Sequence, residues 1–198
     1  MNSPFHPHDI PGGLVLASRS PRRQDILSGL GYSFEVVPAP EEVEEAPVEG
    51  TVHEIPVILA RRKCDAVAQH HPDATVIGAD TVVIIGEEIL TKPCDDEEAA
   101  TFLRRLSGRT HTVVTGVAVA RGHRHHFAGE HTDVTFRTLT FGEIEQYVAT
   151  GEGRDKAGSY AAQGVGAGLI RRIDGCFYNV VGLPVALTLD LLREVSDE

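Results

Sequence analysis

Short apolar runs and the residues beside them predict how the chain begins. Residues 14–17 form an apolar run that predicts a buried strand. Ser20 and the proline after it suit the cap and first turn of a helix over residues 21–30. Residues 33–37 predict a second strand, and the acidic stretch 41–49 predicts a solvated loop. The chain therefore opens as strand, helix and strand.

The middle of the chain alternates between helical and extended patterns. Residues 55–69 repeat apolar positions with a helical period. Two β-branched runs, 74–79 and 82–85, predict strands interrupted at Asp80. Residues 95–106 combine a capping pair at the start, an apolar face and a following glycine, so they predict a helix.

The next segment has the pattern of a hairpin followed by a helix. Two long runs rich in β-branched residues, 110–120 and 127–139, flank the polar residues 121–126. This arrangement predicts an antiparallel pair of strands. A threonine and a glutamate three positions later then predict a capped helix over residues 140–151.

The last third begins with a glycine-rich loop at residues 158–168. Residues 169–174 and 177–181 predict two further strands, and residues 184–195 predict a closing amphipathic helix. Parallel crossovers and hairpins both occur in this order of elements. The chain is therefore predicted to be α/β, with a mixed sheet and flanking helices.

Composition narrows the class of protein. The 198 residues are 41% hydrophobic and 24% charged, as in folded globular proteins. This predicts a single domain over residues 13–198, preceded by a loose proline-containing arm at residues 1–12. The net charge of −11 argues against general nucleic-acid binding, and no apolar run reaches the roughly 20 residues of a membrane helix.

Three cysteines, Cys64, Cys94 and Cys176, are widely spaced and do not form a Cys-x-x-Cys pair. They indicate neither a disulfide framework nor a zinc ribbon. Because the N-terminus also shows no basic segment before an apolar one, we expect a cytoplasmic protein.

Residues 18–23, Ser-Arg-Ser-Pro-Arg-Arg, concentrate positive charge in an otherwise acidic chain. Arg22 and Arg23 accompany the hydroxyl of Ser20 at the predicted start of a helix, where free N–H groups favour an anion. The segment is thus a candidate cradle for a polyphosphate. An ordinary surface turn with solvated arginines explains it equally well.

Asp80 follows an apolar run in which a carboxylate is costly to bury unless it is paired, bound to metal or used chemically. Active sites of open α/β sheets lie at strand ends, so Asp80 is a catalytic candidate, with a cap or turn aspartate as the alternative. Lys92 is either a phosphate ligand or a solvated lysine.

Two other features are weaker signals. The glycine-rich residues 158–168 can let backbone approach a phosphate or a base, but they match neither a Walker loop nor a dinucleotide fingerprint. The histidines at 123–126 suggest a metal, yet their place at a predicted hairpin tip favours an exposed polar turn.

Taken in order, these segments resemble the Maf family, also called septum formation inhibitor-like proteins. The resemblance spans nearly the whole chain, and its specificity comes from eight motifs in the right order. They are residues 16–23 (LASRSPRR), 59–63 (LARRK), 77–81 (IGADT), 92–93 (KP), 106–111 (LSGRTH), 155–160 (DKAGSY), 163–164 (QG) and 179–184 (NVVGLP).

The resemblance implies an elongated fold similar to that of inosine triphosphate pyrophosphatases, with a nucleotide cleft between two lobes. It also implies cleavage between the α- and β-phosphates with Mg²⁺ or Mn²⁺. Asp80 matches the family's proton acceptor for the attacking water. Ser20, Arg22 or Arg23, Lys63 and Lys92 are then the candidates to face phosphate.

The resemblance further distinguishes subfamilies. Arg23, Thr81 and Gln163 match the triad associated with the dTTP/UTP-specific branch, whereas the 7-methyl-GTP branch carries an acidic residue at the glutamine position. The family's acidic metal ligand lies after the second strand. Here several glutamates stand in shifted register, and Glu42 is our choice to bind metal together with Asp80, with Glu41 and Glu44 as alternatives.

Two other functions remain as alternatives to dTTP/UTP hydrolysis. One is a regulator of cell division that binds nucleotide without turnover, as the older family name suggests. The other is a pyrophosphatase of the 7-methyl-GTP type. As partners we expect a small nucleotide, no nucleic acid, no membrane and a second copy of the chain in a homodimer.

Overall fold

A computed structural model describes Ile10 and residues 12–197. The described part contains seven strands and seven helices, joined by two short 3₁₀ turns. The strands are β1 (Leu14–Leu16), β2 (Glu35–Val36), β3 (Thr75–Ile85), β4 (Glu88–Leu90), β5 (Thr110–Arg121), β6 (Arg124–Phe136) and β7 (Ile170–Asp174). The helices are α1 (Pro21–Gly29), α2 (Glu41–Glu45), α3 (Ile55–Ala68), α4 (Asp96–Leu106), α5 (Phe141–Ala149), α6 (Phe177–Val181) and α7 (Val185–Asp197).

The strands form one mixed sheet in the order β2-β1-β3-β5-β6-β7, with β4 beside β3. β1 pairs in parallel with both β2 and β3, while β4 and β7 pair antiparallel with β3 and β6. The predicted α/β class with a mixed sheet and flanking helices is thus confirmed. No helix in the described range is long and apolar enough to cross a membrane.

The chain divides into two compact units. Unit 1 contains the described residues up to Asp80, Thr115–Glu130, and the residues from Gly182 onward. Unit 2 contains Thr81–Val114 and His131–Val181. The prediction of one domain over residues 13–198 stays a prediction, and most of the predicted arm at residues 1–12 lies outside the described residues.

Glycines bring α3 into direct contact with the sheet inside unit 1. A Cβ atom on Gly78 would lie 2.4 Å from the carbonyl oxygen of Ala60, and one on Gly116 would lie 2.3 Å from that of Pro56. No larger residue fits between the helix and β3 or β5. The small core of this unit, with Ala60, Cys64 and Val76 among its members, is built around that close approach.

Unit 2 has its own apolar core. Leucines of α4, the residues Val113 and Val134 of the long strands, and Ile144 of α5 pack together there. The helices α4 and α5 begin at the predicted caps. The Asp95 carboxylate accepts from the Glu98 N–H group, and Thr140 and Glu143 form a reciprocal capping box.

Several predicted elements are wrong in detail. Residues 41–45 are the helix α2 and not a loop, because consecutive glutamates favour helix once Pro40 fixes the preceding turn. The hairpin turn is only residues 122–123, so the histidines at 125 and 126 lie in β6. Residues 177–181 are helical and not extended. Their Asn179 side chain donates to the Val113 carbonyl and to Thr132 Oγ1, which holds the turn against its β-branched composition.

Candidate active site

Asp80 lies within a strand and not at its end. The two predicted strands are one continuous strand, β3, that runs through Asp80 and Thr81. Side chains alternate along a strand, so Asp80 faces the same side as Gly78, toward α3. The strand does not end at Asp80, because the Asp80 carboxylate has a partner on that helix.

That partner is Lys63. Its Nζ atom donates to Asp80 Oδ1 at 2.7 Å, and the two side chains are only 8% and 16% exposed. A buried carboxylate and a buried ammonium require each other, since either one alone carries a large desolvation cost. The close approach of α3 at Gly78 brings Lys63 within reach of Asp80. The Asp80 side chain keeps 16% of its surface exposed to solvent.

The loop between β1 and α1 is organised by Arg23. Its Nε atom donates to the Gly182 carbonyl at 2.8 Å, and its Nη1 atom donates to Ser18 Oγ at 2.8 Å. Ser18 Oγ also accepts from the Ser20 N–H group at 3.3 Å. Arg23 is buried, and its hydrogen bonds connect the loop to Gly182 at the start of the C-terminal segment. Sequence reasoning missed this role of Gly182.

Ser20 and Arg22 lie at the start of α1 and are half-buried. Ser20 occupies the cap position, but its side chain does not cap the helix, and Pro21 is the first helical residue. The hydroxyl is therefore available at the positive end of a nine-residue helix. Of the predicted phosphate cradle, Ser20 and Arg22 lie at the N-terminal end of α1, whereas Arg23 is buried and bonded to Ser18 and Gly182.

The remaining candidates are placed in different parts of the chain. Glu42 is exposed on α2 in unit 1. Thr81 is half-buried, and Lys92 and Gln163 are exposed, all three in unit 2. The Glu41 carboxylate accepts from Arg19 at 3.0 Å, and the side chain of Glu44 lies outside the described residues. No group of three or more His, Cys, Asp or Glu side chains suited to a metal forms among the described residues.

The glycine-rich segment is attached to an aromatic cluster through Tyr160. His111, Phe136 and Tyr160 contact each other edge to face, with ring centroids 4.8–5.3 Å apart. The Tyr160 hydroxyl and His111 Nε2 are 2.7 Å apart and share a hydrogen bond. His111 is 2% exposed, and its burial lowers the pKa of the imidazole to about 4. The neutral ring is thus a structural part of this core.

The histidines at the hairpin pair with carboxylates. Nδ1 of His125 lies 2.8 Å from Asp65 Oδ1 on α3, and Nδ1 of His126 lies 3.2 Å from Glu194 Oε2 on α7. Successive side chains of β6 point to opposite faces, so each histidine meets a different helix. These contacts connect the hairpin to both helices.

Comparison with known proteins gives consistent matches. A family model described as Maf-like protein matches residues 13–195. A dTTP/UTP pyrophosphatase of Deinococcus radiodurans is 48% identical over 180 residues, which are 91% of this chain and 91% of that protein. One of Pelotomaculum thermopropionicum is 50% identical over 184 residues, 91% of this chain and 95% of that protein. The Ham1 protein of Staphylococcus aureus shares the fold at 17% identity and a TM-score of 0.50, covering 91% and 98% of the two chains.

Proposed function

This chain belongs to the Maf-like protein family, and from that membership we propose that it is a nucleoside triphosphate pyrophosphatase that hydrolyses dTTP and UTP. The products are the nucleoside monophosphate and pyrophosphate. The observation that carries the conclusion is identity of 48% and 50% to two dTTP/UTP pyrophosphatases over at least 91% of each protein. Such an enzyme removes these nucleotides from the cellular pool.

Asp80 is the residue that takes the proton from the attacking water. A carboxylate inside a strand is held rigidly, and its 16% exposure leaves it accessible to a water molecule. Lys63 fixes the orientation of the carboxylate through the 2.7 Å hydrogen bond, and its charge adds to the attraction for a polyphosphate. The pair therefore supplies the base, and Lys63 offsets the negative charge of Asp80 that would otherwise repel a polyphosphate.

Ser20, Arg22 and Lys92 are the groups that bind phosphate oxygens. Ser20 and Arg22 act from the start of α1, where the helix dipole adds to the side-chain charge. Arg23 contributes by holding this loop through Ser18 and Gly182. Lys92 is exposed, so its charge is available to the departing pyrophosphate.

Gln163 and Thr81 select the base. A side-chain amide presents both a donor and an acceptor, which match the adjacent N–H and carbonyl groups of uracil or thymine. Gln163 is exposed on its loop, and Gly164 next to it has φ of 64°, a left-handed conformation that favours glycine.

A divalent cation, Mg²⁺ or Mn²⁺, is the expected cofactor. Carboxylate oxygens are the donors these ions prefer, and Asp80 and Glu42 are the residues that would hold it. Mg²⁺ is often bound through one or two carboxylates together with the phosphates of the substrate. When bound, such an ion offsets negative charge on the phosphates. EDTA should abolish turnover and leave the unfolding temperature nearly unchanged.

We further propose a cytoplasmic enzyme that acts on free nucleotides as a homodimer, without nucleic acid or membrane. The acidic composition supports the exclusion of nucleic acid, because a protein with a net charge of −11 repels a phosphate backbone. The three cysteines are free thiols, which suits a reducing compartment. The homodimer is tested by light scattering of the purified protein.

The decisive experiment measures pyrophosphate release from dTTP, UTP, CTP, GTP and 7-methyl-GTP with Mn²⁺ or Mg²⁺. Turnover that favours dTTP and UTP supports the proposal. Binding of dTTP without pyrophosphate release would indicate the regulator, and preference for 7-methyl-GTP would indicate the other branch. Gln163→Glu should lower kcat/KM for dTTP and UTP about tenfold, since it removes one hydrogen-bond donor and adds a charge.

A further inference from the structure

The loop that carries Gln163 is anchored by a single carboxylate, that of Glu152. Glu152 Oε1 accepts from the Val165 N–H group at 3.0 Å, and Oε2 accepts from the Gly166 N–H group at 2.7 Å. Hydrogen bonds to an ionised acceptor are about twice as strong as neutral ones. These two hydrogen bonds therefore hold the segment directly after Gln163 against Glu152.

Glu152 is itself fixed to the end of α5. Its N–H group donates to Thr150 Oγ1 at 3.2 Å, and the Thr150 hydroxyl donates to the Tyr147 carbonyl at 2.6 Å. These bonds connect the carboxylate to a helix that begins with a complete capping box. Glu152 lies in the turn directly after α5, and these two bonds fix that turn to the helix.

The residues before Gln163 are held by Tyr147 of the same helix. The Tyr147 hydroxyl accepts from the Ala161 N–H group at 3.0 Å. Burial raises the pKa of the Tyr147 phenol, and the neighbouring Glu152 carboxylate raises it further. Glu152 and Tyr147 therefore hold the loop on both sides of Gln163.

Two glycines make this grip possible. A Cβ atom on Gly166 would lie 2.2 Å from the Ala161 carbonyl oxygen, so the two ends of the loop meet backbone to backbone. A Cβ atom on Gly164 would lie 2.1 Å from Glu152 Oε1, and Gly164 has φ of 64°. The loop thus packs against the Glu152 carboxylate, and the Gln163 side chain is exposed to solvent.

We propose that Glu152 is a positioning residue for substrate selection, which holds the Gln163 loop in the conformation that reads a pyrimidine base. The role rests on the proposed function, because it concerns the same site. Recognition by paired hydrogen bonds requires the reading group to be fixed within about 0.5 Å, and a free glycine-rich loop does not meet that limit. Without its anchor, Gln163 remains present but no longer discriminates.

The test replaces Glu152 with Gln, which keeps the shape, removes the charge and leaves one acceptor for two N–H groups. Glu145→Gln is the control, because Glu145 is an exposed carboxylate of α5. For Glu152→Gln we expect kcat/KM to fall about tenfold for dTTP and UTP, mainly through KM, and less than about threefold for CTP and GTP. The control should match the wild type for all four nucleotides.

A double-mutant cycle separates positioning from general loosening. If Glu152 acts through Gln163, Glu152→Gln should change dTTP turnover less than about twofold when Gln163 is already Ala. Equal losses for all four nucleotides, or full additivity with Gln163→Ala, would overturn the inference. If Glu152→Gln does not fold, Tyr147→Phe provides the same comparison, since it breaks the other half of the grip and keeps the ring packed. A wild-type protein inactive on dTTP and UTP would instead refute the proposed function.

Discussion

Asp80→Asn is the substitution that most directly tests the proposed chemistry. The amide keeps the shape of the carboxylate, but it cannot serve as a base near neutral pH. It also changes the partner of Lys63, whose ammonium group lies 2.7 Å from Asp80 Oδ1 and whose side chain is 8% exposed. The variant therefore alters stability and catalysis together, and the two effects have to be separated.

The expected magnitudes allow that separation. Removing one member of a buried ion pair costs about 3–5 kcal/mol, and the retained amide oxygen of Asn places Asp80→Asn near about 3 kcal/mol. Stabilities of folded domains are roughly 5–15 kcal/mol, so at least about 2 kcal/mol should remain and over ~95% of the molecules should be folded. Unfolding then explains only a few per cent of any lost activity. Loss of a general base lowers the rate by roughly 10² to 10⁴.

The assay compares three proteins by urea unfolding and by kcat for dTTP: Asp80→Asn, Lys63→Met and the double variant. Replacing both charges by neutral side chains should recover much of the stability that each single variant loses. If Asp80 is the base, the double variant should regain stability without regaining turnover. Asp80→Asn turnover within about tenfold of the wild type would refute the role of Asp80. Recovery of turnover together with stability would reduce the pair to a structural one.

Three further predictions follow from individual contacts. Gly78→Ala should lower the free energy of unfolding by about 3 kcal/mol, because its Cβ would meet backbone of α3, whereas Gly29→Ala, with open space around it, should be neutral or stabilising; urea titration of both checks this. The pKa of His111 is about 4 in the folded protein against 6.5 for an exposed histidine, so between these pH values the unfolded chain binds one more proton. The free energy of unfolding should therefore fall by about 2 kcal/mol from pH 7 to pH 5. His111→Gln should flatten this pH dependence, and an unchanged slope would contradict the prediction. Lys92→Ala should lower kcat/KM for dTTP about tenfold and change unfolding by less than about 0.5 kcal/mol, while Arg171→Ala, also an exposed cation, should leave both unchanged.

Local signals predicted much of the fold. The helices α4 and α5 begin where their capping residues predict, because a cap and the N–H group it binds are only three positions apart. The helix predicted over residues 55–69 is α3. Each of these features is decided within one turn of chain, so no knowledge of the tertiary structure is needed.

Features decided by distant residues were not predicted. β3 is continuous through Asp80, whose carboxylate accepts from Lys63, 17 positions away. The helical state of residues 177–181 depends on the bonds of Asn179 to Val113 and Thr132. In both cases a polar side chain finds a buried partner, and that partner overrides the local preference of the backbone. Sequence patterns alone do not show which partners will meet.

The candidate site follows the same division. Its residues were proposed from the motifs, whereas the different surroundings of the two arginines required the structure. Arg22 and Arg23 are adjacent in sequence, yet Arg22 is half-buried, whereas Arg23 is buried and donates to Ser18 and Gly182. Helical geometry separates neighbours by about 100°, so one of two adjacent arginines faces inward and the other outward. In the proposed site, Arg23 would therefore hold the phosphate-binding loop in place and Arg22 would contact the phosphate.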